Sequence, residues 1–301
     1  MIAPEAPARP PSIAGVGASS IRLPPGAWTL LLDFLDQRFP DVGRAVWQAR
    51  LAEGKVSDSE SGRLSPDAVF VAGRLIHYYR ELPPEPPIPF AASILHQDEQ
   101  LLIADKPHFL PTIPSGRFVQ ETLLSRLRRD TGIEHLVPLH RLDRGTAGLV
   151  LFSVNPQTRG VYSALFAGRK IVKTYEALAP LRPALQFPLR RCSRIVAGEP
   201  FFRQREVDGE PNAETLIEVI EQRGDLSLYR LQPVTGRKHQ LRVQMAALGI
   251  SIVNDDWYPT LQVEAGAVDN YARPLKLLAR RLAFTDPISG MPRQFDSVRD
   301  L

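Results

Sequence analysis

Residues 140–148 read His-Arg-Leu-Asp-Arg-Gly-Thr-Ala-Gly. His140, Arg141, Asp143 and Arg144 form a polar cluster where a loop enters an apolar strand, and such positions on a rigid scaffold are where catalytic groups collect. Flanking cations would hold Asp143 ionised. An ionised carboxylate at a strand end has the chemistry of a nucleophile or a general base. Taken in isolation, the same residues read first as a structural Arg–Asp pair pinning the loop. A second group lies in TGRKHQLRVQMAALG, residues 235–249. Thr235 and Gly236 suit a turn, and Arg237, Lys238, His239 and Arg242 place four potential cations within six residues. On a helix over 238–248, Lys238 and Arg242 are i,i+4 neighbours, and Leu241, Met245 and Leu248 form the buried face. That pattern offers phosphate contacts and one inward Arg for a carboxylate, or a solvated basic helix end. In KTYEALAP, residues 173–180, Lys173 and Tyr175 project to one face of a strand. Tyr175 there either stacks on a nucleic-acid base or fills a core.

The elements that must position these groups follow from periodicity. Trp28, Leu31, Leu32, Leu35 and Phe39 predict a helix over 26–39, and a second helix spans 43–52 with Gly54 closing it. With strands around 67–80 they make a small unit over 23–81. Residues 1–22, rich in Pro and Ala, read as a disordered tail. Five prolines between 82 and 90 mark residues 82–92 as a stiff linker. From 93 to 301 strands dominate. Two flank the polar turn Gln97–Asp98–Glu99, and others are expected at 148–153, 170–178, 213–221, 226–232 and 275–284. Helices are expected at 119–130, 156–168 and 238–248, and the basic stretch 180–212 reads as irregular. No βαβ rhythm and no internal repeat occur. The expected class is therefore α+β, with a largely antiparallel mixed sheet flanked by helices.

Composition narrows the chemistry less than the motifs do. Across 301 residues, 37 Lys and Arg against 33 Asp and Glu give a net charge of +4, which permits a polyanionic partner without demanding one. The cations gather at 117–129, 169–173, 190–205, 237–242 and 273–281. Cys192 is the single cysteine, so neither an intrachain disulfide nor a cysteine metal cluster is available, and a reducing cytoplasm is the expected setting. His96, His108 and His135 lack ligand spacing, and His140 reads as a structural hydrogen-bonding residue. Asp255 and Asp256 read as turn and packing residues. No apolar run is long enough for a membrane span.

Taken in order, the three motif segments resemble those of RluA-type RNA pseudouridine synthases. HRLDRGTAGLVLFS is similar to that family's catalytic loop, KTYEALAP to its K-x-Y-x-A strand, and LQPVTGRKHQLRVQMAALG to its TGR-x-HQ helix. LLIADKPHFLPTIPS (101–115) resembles its early strand ending in Lys-Pro, and LKLLARRLAFTDPISG (275–290) its closing strand. The resemblance runs from about 93 to 297. Residues 23–81 resemble, more loosely, a small S-four-like RNA-binding module. Three positions depart from the family pattern: Ala147 stands for a Ser, Gln244 for a His, and Asn254–Asp255 for a Gly–Asp.

The resemblance implies a pseudouridine synthase fold and isomerisation of uridine to pseudouridine in structured RNA, without metal or other cofactor. Asp143 would be the catalytic aspartate, acting on the sugar, on the ring or as a base. Arg242 would be its partner, and Tyr175 would stack on the target base and assist proton removal. Arg141, Arg144, Lys173, Arg237, Lys238 and His239 would contact RNA, with Arg141 bracing the gap left by the flipped nucleotide. Large-subunit ribosomal RNA is the expected substrate and transfer RNA the alternative, for a monomer in the cytoplasm. An inactive RNA-binding relative and a nucleoside hydrolase with a second carboxylate are the competing readings.

Overall fold

The computed structural model describes residues 10–13, 15–58, 62–79, 85–263 and 267–301. Residues 1–9 and 14 of the expected tail, 59–61 and 80–81 of the expected module and 82–84 of the expected linker lie outside them. The chain divides into two compact units, 1–85 with 125–134, and 86–124 with 135–301.

In the first unit, β1 (Ser19–Arg22), β2 (Val56–Asp58), β3 (Gly62–Arg63) and β4 (Leu75–Tyr78) form a sheet in the order β1-β4-β2-β3. Helices α1 (Leu31–Arg38) and α2 (Arg44–Ala52) pack Leu31, Phe34, Leu35, Trp47 and Leu51 against Val56 and Ile76. Gly54, at φ 70, ends α2 with Lys55 N–H donating to Arg50 O, a closure that favours a residue without Cβ. Helix α1 starts five residues later than the apolar spacing predicts. The segment before it is extended instead: Phe70 N–H donates to Thr29 O and Leu31 N–H to Ala68 O, while Trp28 enters the core beside Phe34 and Phe70. The end of the expected tail is also ordered. Ser19–Arg22 pairs with β4, and Ser12 binds Glu134, whose segment 125–134 belongs to this unit rather than to the larger one.

The larger unit holds β5 (Ser93–Gln97), β6 (Leu101–Lys106), α3 (Leu123–Thr131, to residue 124), β7 (Val137–Pro138), β8 (Ala147–Ser153), α4 (Arg159–Ala167) and β9 (Val172–Pro180). There follow β10 (Leu189–Ala197), β11 (Gln204–Val207), β12 (Ala213–Arg223), β13 (Leu226–Pro233), α5 (Gln240–Ala247), β14 (Leu277–Thr285) and β15 (Pro292–Asp296). The strands run β11-β10-β12-β13-β9-β14-β8-β6-β5, with β15 on β14 and β7 on β8. Among the described residues only β14 and β8 pair in parallel. This is the α+β, largely antiparallel mixed sheet expected from the sequence. The stretch 180–212 is a correction: it contains β10 and β11, whose alternation is masked by Arg on both faces and by Pro188, Gly198 and Pro200 around them. Helix α4 packs Tyr162 and Leu165 on Leu101, Leu149 and Leu151, and α5 packs Leu241 and Met245 on Ala177, Ile217 and Tyr229.

The junction β8–β14–β9 sets the geometry of the site. Ala279 of β14 lies opposite Gly148 on one side and Tyr175 on the other. Gly148 has φ 108, and a Cβ there would stand 2.3 Å from the Ala279 carbonyl oxygen. Backbone conformation and close approach both require glycine. Gly148→Ala is expected to cost about 3 kcal/mol, combining left-handed strain with overpacking. Gly290→Ala, also at positive φ but with open space around it, should cost much less. Urea unfolding of the two variants checks the difference; equal losses would show that the strand approach is not the constraint.

Candidate active site

Asp143 lies in the turn that feeds β8, with 29% of its side chain exposed. That turn is pinned from several directions. Thr112 Oγ1 donates to Leu142 O and accepts Leu142 N–H, and Thr146 N–H donates back to Asp143 O. Lys106, at the end of β6, is fully buried, and its Nζ donates to the carbonyls of Pro107, Leu110 and Arg144 at 3.0, 2.8 and 3.2 Å. Burial pushes its ammonium down to about 7, against the pull of Asp143. His140 Nε2 accepts the Leu151 N–H at 3.1 Å, and its ring stacks on Phe166. Burial, and then Lys173, drive that imidazole down to about 3, so it is a neutral acceptor in the fold.

Helix α5 supplies the counter-charge. Arg242 is 6% exposed. Its Nε and Nη2 make a two-point bond to Asp255, at 2.8 and 2.7 Å, and Nη1 reaches Asp143 Oδ2 at 3.4 Å. Trp257 and Tyr258 cover the guanidinium, 4.9 and 5.2 Å from the ring centres. Burial opposes the charge, but the hydrogen bonds and attraction of Asp255, then Asp143, hold the guanidinium above its ordinary value. The polar residues of α5 are also satisfied. Gln240 accepts from Thr235 Oγ1 and Arg237 N–H and donates to Glu214 O and Thr215 Oγ1. Gln244 accepts from Thr215 Oγ1 and donates to Ser193 Oγ. The departure from the family's His at 244 thus ties α5 to β10 and β12.

All nine sequence-predicted site residues line one open cleft of about 910 Å³. Asp143 is the only carboxylate among the described residues lining it, beside Arg141, Arg144, Arg169, Lys173, Arg237, Lys238 and Arg242. Tyr175 faces the cleft from β9. Burial, with Asp143 adding to it, pushes its hydroxyl well above the usual tyrosine range, so the phenol stays protonated near neutrality. Arg141, Arg237 and Lys238 are exposed at the rim, and Lys173 is half-buried with Nζ donating to Thr235 O. Arg144 lies over Phe118 and pairs with Asp269.

Three placements differ from expectation. Lys238 precedes α5 rather than lying on it, because the turn 235–239 uses Gln240 as its anchor. His239 is buried, with Nδ1 at 2.8 Å from the Tyr258 hydroxyl. Asp255, read as a turn residue, does accept the Trp257 and Tyr258 N–H groups, but it is also the principal partner of Arg242. Sequence reasoning missed Asp255 and Lys106 as site residues. A buried Arg demanding a full counter-charge was the available signal for the first. The Lys-Pro strand end was the signal for the second. Among the described residues no three His, Cys, Asp or Glu side chains come together to hold a metal, and no helix is long and apolar enough to cross a membrane.

The depressed ammonium of Lys106 gives a signed pH prediction. Its folded value, about 7, lies below its ordinary 10.5. Between those values the unfolded chain binds more protons, so this group makes the fold more stable as pH rises through that window. Comparing urea unfolding at pH 7 and pH 9.5, wild type should gain stability relative to Lys106→Met. Parallel pH dependences would show that Lys106 keeps an ordinary ammonium.

The sequence model described as RNA pseudouridylate synthase matches residues 100–247. An uncharacterised RNA pseudouridine synthase of Synechocystis is 31% identical over 236 residues, 76% of this chain and 79% of that protein. The dual-specificity RNA pseudouridine synthase RluA of Yersinia pestis is 30% identical over 212 residues, 67% of this chain and 96% of that protein. The fold is shared with human RNA pseudouridylate synthase domain containing 1, at a TM-score of 0.57 and 23% identity over 71% of this chain and 86% of that one. The chain therefore belongs to the RluA-type family of RNA pseudouridine synthases, isomerases that convert uridine to pseudouridine in RNA.

Proposed function

We propose that the cleft takes a uridine flipped out of structured RNA, and that Asp143 is the carboxylate that acts on it. The observation that carries this reading is the single carboxylate in a cleft lined by cations. A cationic cleft binds the phosphate backbone, and one ionised acid supplies the nucleophile or base. The reaction breaks the bond from ribose C1′ to N1 and forms one to C5; the C5 proton is lost and N1 gains one, so no net redox change occurs. Arg242 orients Asp143. The Tyr175 ring stacks on the extruded base, and its protonated hydroxyl favours a hydrogen-bonding or relay role over that of a free phenolate base. Arg141 braces the gap in the RNA, and Arg144, Lys173, Arg237 and Lys238 engage the backbone. His239 was grouped with these contacts by sequence; its burial favours a different role.

The substrate we favour is large-subunit ribosomal RNA, with the small N-terminal α/β unit acting as an S-four-like RNA-binding module and the enzyme working as a cytoplasmic monomer. Exposed Cys192 suits a reducing compartment. Two relatives in Saccharomyces cerevisiae carry the names tRNA pseudouridine(32) synthase and tRNA pseudouridine(31) synthase, which makes transfer RNA the second substrate class to assay. A nucleoside hydrolase would need a second acid at set separation, and the described residues lining the cleft offer none.

Pseudouridine mapping of ribosomal and transfer RNA incubated with wild type and Asp143→Asn tests the reading. New pseudouridine with wild type alone, with RNA binding retained by the variant, is expected. Product from the variant would remove Asp143 from the chemistry. Binding without product in wild type would favour an inactive RNA binder, and free uracil would favour a hydrolase.

A further inference from the structure

His239 enters α5 with a left-handed backbone, φ 55, and 4% of its side chain exposed. A ring this enclosed is poorly placed to meet phosphate from solvent. Its Nε2 faces Asp143 Oδ1 at 3.8 Å, and its Nδ1 lies 2.8 Å from the Tyr258 hydroxyl. The Tyr258 oxygen already accepts the Gln204 backbone N–H at 2.8 Å. The hydroxyl proton needs its own acceptor, and His239 Nδ1 is within reach. A hydroxyl that accepts from Gln204 and donates to Nδ1 leaves the imidazole proton on Nε2.

We propose that Tyr258 fixes the tautomer of His239 so that a neutral Nε2–H is presented to Asp143 Oδ1, making His239 a positioning residue for the catalytic carboxylate rather than an RNA contact. The proposal rests on the reading of Asp143 given above. The two carboxylate oxygens are then addressed separately: Arg242 approaches Oδ2 and His239 faces Oδ1. A neutral donor fixes the rotation of the carboxylate without adding another full charge, which would lower its reactivity. At 3.8 Å the contact is longer than a hydrogen bond. Catalytic hydrogen bonds are often long in the unliganded enzyme and tighten when substrate enters.

The surroundings of the ring favour the neutral state. Asp143 faces it from the β8 turn, Lys238 adjoins it, Arg242 lies on α5, and Asp255 and Tyr258 follow α5. Burial dominates and pushes the imidazole down to about 4, with Asp143 opposing. Tyr258 is itself braced by the β10–β11 hairpin. Arg203 sits 5.0 Å from the centre of its ring and donates to Pro259 O, and Phe202 packs on Trp257.

The test is nitrogen NMR of the full chain labelled at histidine, without RNA, at pH 7, with the His239 signals assigned by their loss in His239→Gln. Protonated Nε2 and bare Nδ1 are expected, with Tyr258→Phe shifting the ring toward a mixture of tautomers. In single-turnover assays, His239→Leu and Tyr258→Phe should slow isomerisation roughly ten-fold or more with RNA affinity unchanged. His239→Gln, whose amide N–H reaches toward the Nε2 position, should recover most of the rate. A proton on Nδ1, an imidazolium at pH 7, or a His239→Leu variant that weakens RNA binding and its salt dependence at an unchanged rate would overturn the proposal. The expected tautomer combined with an active Asp143→Asn would sink the role of Asp143 and the positioning role with it. The wrong tautomer combined with an inactive Asp143→Asn would sink the positioning role alone.

Discussion

A guanidinium buried to 6% exposure has to be neutralised where it lies, and the site is organised around how Arg242 achieves this. Asp255 takes two of its donors at hydrogen-bond distance, while Asp143 receives one at 3.4 Å. The unequal division has a chemical consequence. Removing a partner from a buried pair costs about 3–5 kcal/mol, so Asp255 carries the larger share of what holds Arg242, with Asp143 the partner that remains if it is neutralised. Asp143, more weakly held and 29% exposed, is oriented by the charge without being consumed by it. A carboxylate locked into the two-point bond would have neither the free lone pair nor the access that the role proposed for Asp143 requires.

The scaffold delivers these groups to one place through close strand approach. Ala279 stands between Gly148 and Tyr175 in register. The Asp143 turn enters β8 on one side of β14, and the Tyr175 strand runs on the other. Lys106 ties the Arg144 carbonyl of the same turn to the carbonyls of Pro107 and Leu110. Helix α5 brings Arg242 across. Its alternation of Leu241, Val243 and Met245 with Gln240, Arg242 and Gln244 is affordable only because each buried polar group is paired.

The Asp143 loop, the Tyr175 strand and the Arg242 helix are legible in sequence because each is a local motif with its own spacing, and the α+β class follows from strand-dominated patterning. What escaped depended on partners distant in sequence or on context that overrides pattern. Asp255 reads from sequence as a turn and packing residue, and it does accept the Trp257 and Tyr258 N–H groups. Its carboxylate also folds back onto Arg242, thirteen residues earlier, a pairing that no local pattern shows. His239 carries the composition of a phosphate contact, but its left-handed backbone turns the ring inward, and a backbone angle is not visible in a run of basic residues. The β10 and β11 strands hid because Arg side chains occupy both faces and prolines interrupt the segment. The start of α1 was misplaced because Trp28 has helical spacing yet reaches the core from extended chain.

The unequal sharing of Arg242 is most directly tested by Asp255→Asn, with single-turnover isomerisation, RNA affinity and thermal unfolding measured on the same preparation. With Asp255 uncharged, the guanidinium should turn its full charge on Asp143. Isomerisation should slow by roughly ten-fold or more while RNA binding persists in a folded protein. An unchanged rate in a folded Asp255→Asn enzyme would contradict the arrangement, because Asp143 would then owe its reactivity to something other than the partner that occupies Arg242.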